Sequence, residues 1–178
     1  MKFRRIMAQH ETFPVRVIGG VAGPVTAPPQ DTVHPEPVWR ERANFIVGAC
    51  LPEQGRTEQL WARQLDEHRF ELCCIPFFLY GVALGDIVAA DANYGVQRVL
   101  QPSGRYVFRA WFGESSLSQP ARQRIAGDLT ELGALLEWSS GNLLAIDAEN
   151  EPHAQRIANY LQERENQQHL IFETGRTG

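Results

Sequence analysis

One stretch constrains this chain more than any other: Arg69-Phe-Glu-Leu-Cys-Cys-Ile-Pro-Phe-Phe-Leu-Tyr-Gly-Val-Ala-Leu-Gly-Asp86. It is the longest apolar run, and Pro76, Gly81 and Gly85 break it in the middle. A proline gives no amide to a β-ladder, so a strand that starts at Arg69 has to stop near Cys74. A short helical turn is predicted from Pro76, ended by Gly81 in a left-handed conformation. The next strand starts at Asp86. The run therefore reads as strand, break, aromatic turn, glycine exit and strand.

The flanking sequence extends that pattern. Asn44–Cys50 reads as a buried strand. Glu58–Leu65 and Arg69–Cys74 form a hairpin around Asp66-Glu67, with Leu60 and Ala62 opposite Phe70 and Leu72. Asp86–Ala92 and Val96–Pro102 form another across Asn93-Tyr94-Gly95. Five short strands with such turns predict a small β-barrel half over residues 44–104. Residues 105–178 read as strand, helix, strand, strand, helix, strand. Ser118 and Asn150 stand at helix starts, with Pro120 and Pro152 in the first turns, and Gly133 at a helix end. Pro120-x-x-Gln-Arg-Ile-Ala-x-x-Leu129 repeats as Pro152-x-x-Gln-Arg-Ile-Ala-x-x-Leu161. A doubled unit of this kind is the βαββαβ, ferredoxin-like arrangement. The fold class is α+β. Residues 1–43, with six prolines among their turn formers, read as an irregular arm with a possible edge strand at Phe13 to Ile18.

Charge separates along the chain. Residues 1–43 hold six basic and four acidic groups, and the remainder eleven basic and seventeen acidic, a body of −6. An acidic body argues against nucleic acid as a general partner and suits a basic protein. Three cysteines and no apolar leader segment after Met1-Lys-Phe-Arg-Arg point to a reducing cytoplasm, and no run is long enough to cross a membrane.

Chemistry is thinly marked. Cys73 and Cys74 beside His68 have the residue types of a thiol nucleophile and base, but buried cysteine is the commoner role. Asp86 is a carboxylate base or, with better local support, a turn residue that accepts backbone N–H groups. His10, His34, His68, His153 and His169 show no metal-ligand spacing, so no metal and no cofactor are expected, and His153 reads as a solvated surface group. On the strand Tyr106–Phe112, Tyr106, Phe108, Ala110 and Phe112 face the helices. Val107, Arg109 and Trp111 face either solvent or the barrel half.

The segment from Gln59-Leu-Trp through Ile75-Pro-Phe-Phe-Leu-Tyr-Gly-Val-Ala-Leu-Gly-Asp86, followed by Ser103-Gly104 and Arg109, resembles the bacterial domain-of-unknown-function family 4265. The resemblance implies a small cytosolic protein with no assigned catalytic residues. Some such proteins look like immunity partners of secreted toxins. With the acidic body, this gives the expected function: a non-enzymatic module that binds a basic toxin domain and occludes its active site. The expected contact set is Asp91, Trp111, Glu114, Glu137, Trp138, Asp147, Glu149 and Glu151. Two alternatives stand beside it, a small-molecule sensor using a crevice between the two halves and an unrecognised hydrolase using Asp86, His68 or a cysteine.

Overall fold

The structure, a computed structural model, describes residues 31–51, 55–113 and 117–175. Along them run β1 (Phe45–Leu51), β2 (Arg56–Gln64), β3 (Arg69–Leu72), β4 (Ile87–Ala90), β5 (Val96–Gln101), β6 (Tyr106–Trp111), α1 (Gln119–Glu131), β7 (Leu135–Ser140), β8 (Leu143–Ala148), α2 (Glu151–Asn166) and β9 (Ile171–Thr174). The strand positions match the sequence expectation to within a residue or two, because alternating burial and turn residues mark them.

The first sheet is an antiparallel meander in the order β1-β2-β3-β4-β5. Val47, Ala49, Leu60, Ala62, Phe70, Leu72, Val88 and Ala90 alternate onto its inner face. Ala62 lies opposite Leu72, but Phe70 lies opposite Gln64, and Leu60 pairs with Val47. The expected barrel is not closed. Closure needs a continuous ladder between first and last strands, and among the described residues β1 meets the β5 side through one isolated bridge, where the Gly48 N–H donates to Tyr94 O at 2.9 Å, and through the Phe45–Tyr94 ring contact. Register irregularities in the β4–β5 pair interrupt the ladder on that side.

The second sheet has the antiparallel order β7-β8-β6-β9. Phe108, Ala110, Leu144, Ile146 and Ala148 form its helix-side face, and Ile125, Leu129, Ala154, Ile157 and Leu161 of α1 and α2 pack on it. Asn150 caps α2 by accepting a hydrogen bond from His153 N–H, whereas Ser118 at the start of α1 makes no side-chain cap bond. Gly133, at φ +92, provides the left-handed exit from α1.

The opposite face of this sheet is not open. Val107 and Ala145 pack with Ile75, Phe77, Ala83 and Leu84, and Val38, Trp39 and Leu135 border them. The 73–85 segment thus packs with the inner faces of both sheets, Cys74 and Val82 on the first and Ile75, Phe77, Ala83 and Leu84 with Val107 and Ala145 of the second. That segment contains no helix, contrary to the sequence expectation; it runs as bends and turns. The Ile75, Phe77, Phe78 and Leu79 amides are taken by carboxylate side chains instead of by carbonyls one turn back, and those side chains define the candidate site.

The arm is not wholly irregular either. Thr32 bridges β2 in parallel, with Thr32 N–H to Thr57 O and Gln59 N–H to Thr32 O, both 2.8 Å. A 3-10 turn follows at Arg40–Arg42. Residues 13–18, with their expected edge strand, lie outside the described residues. No helix among the described residues is long and apolar enough to cross a membrane.

Candidate functional site

The centre of the molecule is ionic. Glu58 sits on β2 at an inward position in phase with Leu60 and Ala62 and opposite Ala49, and Glu137 sits on β7 facing the first sheet; both are buried. Between them lies His34 of the arm. Its Nδ1 is 2.6 Å from Glu137 Oε2 and its Nε2 is 3.1 Å from Glu58 Oε1. The ring stacks on Phe77 at 4.0 Å, tilted by 7°.

Each carboxylate also holds backbone. Glu58 accepts N–H bonds from Phe77, Phe78 and Leu79 at 2.5, 3.0 and 2.9 Å. Glu137 accepts from Val38 at 3.0 Å and from Ile75 at 2.8 Å. Trp61 Nε1–H donates to His34 O at 2.9 Å. Five amides that no ladder or helix uses are satisfied this way, and the arm, both sheets and the proline-broken segment are joined at one point.

The protonation state follows from the surroundings. Burial opposes charge on His34, but the Glu137 and Glu58 carboxylates on its two ring nitrogens more than offset it and hold the imidazole above its ordinary 6.5. Burial would push Glu58 up, but His34 and the donated amides lower it below its ordinary value. Burial pushes the Cys74 thiol up, and the two nearby carboxylates push the same way against His34, so the sulfur keeps its proton. The centre is an imidazolium between two carboxylates.

The sequence-marked catalytic types are engaged elsewhere or kept apart. Burial, with Glu71 adding, pushes the Cys73 thiol up to about 11, the opposite of what a nucleophile needs. Asp86 is fully buried and accepts from Ala83 N–H at 3.0 Å and Ser103 N–H at 2.6 Å, the turn role. His68 is exposed at the β2–β3 turn, a strand's length from Cys73. His153 is buried, not solvated: its Nδ1 accepts from Glu149 N–H at 3.1 Å because the Asn150 cap folds the first turn of α2 inward. No group of three or more His, Cys, Asp or Glu among the described residues is arranged to hold a metal ion.

The expected contact set does not form one patch. Glu137 and Asp147 are buried, so neither belongs to a surface: Glu137 serves the centre, and Asp147 receives a two-pronged Arg105. Burial pushes the Asp147 carboxyl up against the pull of Arg105. Asp91 lies in the β4–β5 turn of the other sheet, its oxygens taken by Asn93 N–H, Gly95 N–H and Gln97 Nε2. Trp138 is half-buried against Phe112, with ring centroids 5.7 Å apart. Glu149 and Glu151 are exposed at the start of α2. Trp111 lines a groove of about 300 Å³ with Phe112, Gly113, Leu170 and Ile171, rimmed by Glu165 and Gln168. Trp111 and Tyr106 are the two ends of β6, and Tyr106 pairs with Ala148 beside Glu149. The groove and the acidic helix start are therefore about 16 Å apart along the sheet. Glu114 lies outside the described residues.

Comparison with known proteins agrees with the fold without adding chemistry. The family model described as Domain of unknown function (DUF4265) matches residues 58–172. No curated protein matches the chain. A solved structure described as a novel crystal structure of a hypothetical protein from Neisseria gonorrhoeae is similar at a TM-score of 0.58 and 17% identity, covering 72% of this chain and 89% of that one. The match starts at Glu58, so His34 comes from outside the matched region.

Proposed function

The chain belongs to the DUF4265 family, and from that premise we propose that it is a non-enzymatic protein-binding module, an immunity protein that neutralises a basic toxin domain by covering its active site. The observation that carries this reading is the division of its acids. Glu58, Asp86, Glu137 and Asp147 are buried and hold the fold together. The exposed acids of the helical layer, Asp128, Glu131, Glu149, Glu151 and Glu163, outnumber its exposed bases, Arg124 and Arg156. A negative face steers a basic partner and sets its orientation. Glu149 and Glu151 also oppose the positive end of the α2 dipole, so local stability accounts for part of their placement.

The β-α-β-β-α-β order with sheet order β7-β8-β6-β9 supports a ferredoxin-like reading of the C-terminal half. That half carries the acidic helices on one side and leans on the ionic centre with the other.

The test is co-expression with the product of the neighbouring gene. A stable complex that protects cells from that product, and that weakens with added salt and with Glu149→Lys plus Glu151→Lys, supports the proposal. Absence of both a complex and protection for every neighbouring product overturns it.

A further inference from the structure

The net charge of −4 conceals a second surface of opposite character. The outer face of the first sheet carries Trp61 and Arg63 on β2, Glu71 on β3 and Arg98 on β5, all alternating with the apolar inner positions. The arm adds two more arginines. The Arg40 guanidinium lies over the Trp61 ring at 4.1 Å, and that of Arg42 lies over Trp39 at 4.2 Å. Glu71 is held between Arg42 and Arg63 at 2.7 and 2.8 Å. Arg40 has no acceptor for its N–H groups among the described residues, although it is exposed and Glu41 is its chain neighbour.

A guanidinium about 4 Å above an indole is held there by cation–π attraction; exposed Arg40 leaves its N–H groups to solvent, whereas Arg42 already gives one to Glu71 and keeps the rest. The guanidinium face away from the indole can take a nucleobase, continuing the indole–guanidinium stack, while the edges of Arg40, Arg42 and Arg63 take phosphate oxygens. An acidic polypeptide would use the edges but not the stacked planes. A duplex hides its base faces. We infer that the outer face of the five-stranded sheet is a binding surface for single-stranded nucleic acid, built on the Arg40–Trp61 and Arg42–Trp39 stacks. It lies on the first sheet, away from the acidic helices, and does not depend on the toxin-binding proposal.

The probe is a fluorescein-labelled 20-nucleotide oligo-dT, read by anisotropy with the full chain at low salt. Binding should weaken with salt with a log–log slope of about −2, given roughly −0.7 per phosphate held by three arginines. Arg40→Gln with Arg63→Gln should weaken it at least tenfold with a melting temperature lowered by no more than a few degrees, since the variant loses only a surface ion pair and a cation–π contact. Glu149→Gln should leave it unchanged. Tryptophan emission should be quenched on binding. No binding at low salt, no effect of the arginine changes, equal affinity for a duplex of the same length, or equal displacement by poly-glutamate would each overturn the inference, the last by making the face a site for acidic proteins.

Discussion

Replacing His34 with alanine removes the cation between two buried carboxylates. Glu58 keeps its three amide donors and Glu137 its two, but their charges then face each other without a counter-ion, and Phe77 loses its stacked ring. Breaking a buried ion pair from one side costs about 3–5 kcal/mol. At about 2–4 °C per kcal/mol for a chain of this size, the melting temperature should fall by about 6–20 °C. A cycle with Glu137→Gln separates the ionic term from simple loss of volume. Neutralising Glu137 in the alanine background relieves the like-charge contact, so the double variant should be more stable than the sum of the single losses by about 1–3 kcal/mol. Calorimetry or urea unfolding at pH 7 reads all four corners. A His34→Ala loss under about 1 kcal/mol, or additivity within about 0.5 kcal/mol, would refute the argument that an imidazolium neutralises this pair.

Other expectations follow from single positions. The raised His34 pKa contributes stability that is complete below its unfolded value of 6.5 and is lost as pH rises from there through the raised folded value; the lowered Glu58 contributes above 4.5 and is lost on acidification. Stability against pH should therefore fall on both sides of a plateau between about 4.5 and 6.5, and His34→Ala should flatten the alkaline limb to the slope that the raised Cys73 and Cys74 thiols and the raised Tyr80 and Tyr160 phenols leave. Gly85, at φ +78, would put a Cβ 3.2 Å from the Trp39 ring and 3.3 Å from Ser103 Cβ, whereas Gly81, at φ +77, faces open space. Both alanine variants incur left-handed strain of about 1–2 kcal/mol, and Gly85→Ala should lose clearly more in chemical unfolding; equal losses would remove the packing argument. Asn150→Ala should cost about 1 kcal/mol and Ser118→Ala close to nothing, because only Asn150 makes its cap bond.

Local patterning made the strands and helices legible. The alternation from Phe45 to Leu51 and the Pro-x-x-Gln-Arg-Ile-Ala repeat both mark elements at their observed places. The centre was hidden because its members are 24, 79 and 103 residues apart in sequence. One signal was available: Glu58 stands on the apolar face of its strand, in phase with Leu60 and Ala62. A carboxylate there requires a buried partner. The same centre explains the mistaken helical turn after Pro76. The Phe77, Phe78 and Leu79 amides are drawn to Glu58, which is invisible to a reading of residues 76–81 alone. The surface patch was misjudged for a related reason. A charge count treats every carboxylate as exposed, and Glu137 and Asp147 are not.

The most direct test of the account is the titration of His34 itself, by nitrogen NMR of the imidazole in the intact chain. Both ring nitrogens should carry protons and keep imidazolium shifts across neutral pH, with deprotonation only well above 6.5. A ring that titrates near 6.5, or that shows one bare nitrogen at pH 7, would contradict the central claim that a charged His34 holds Glu58 and Glu137 together.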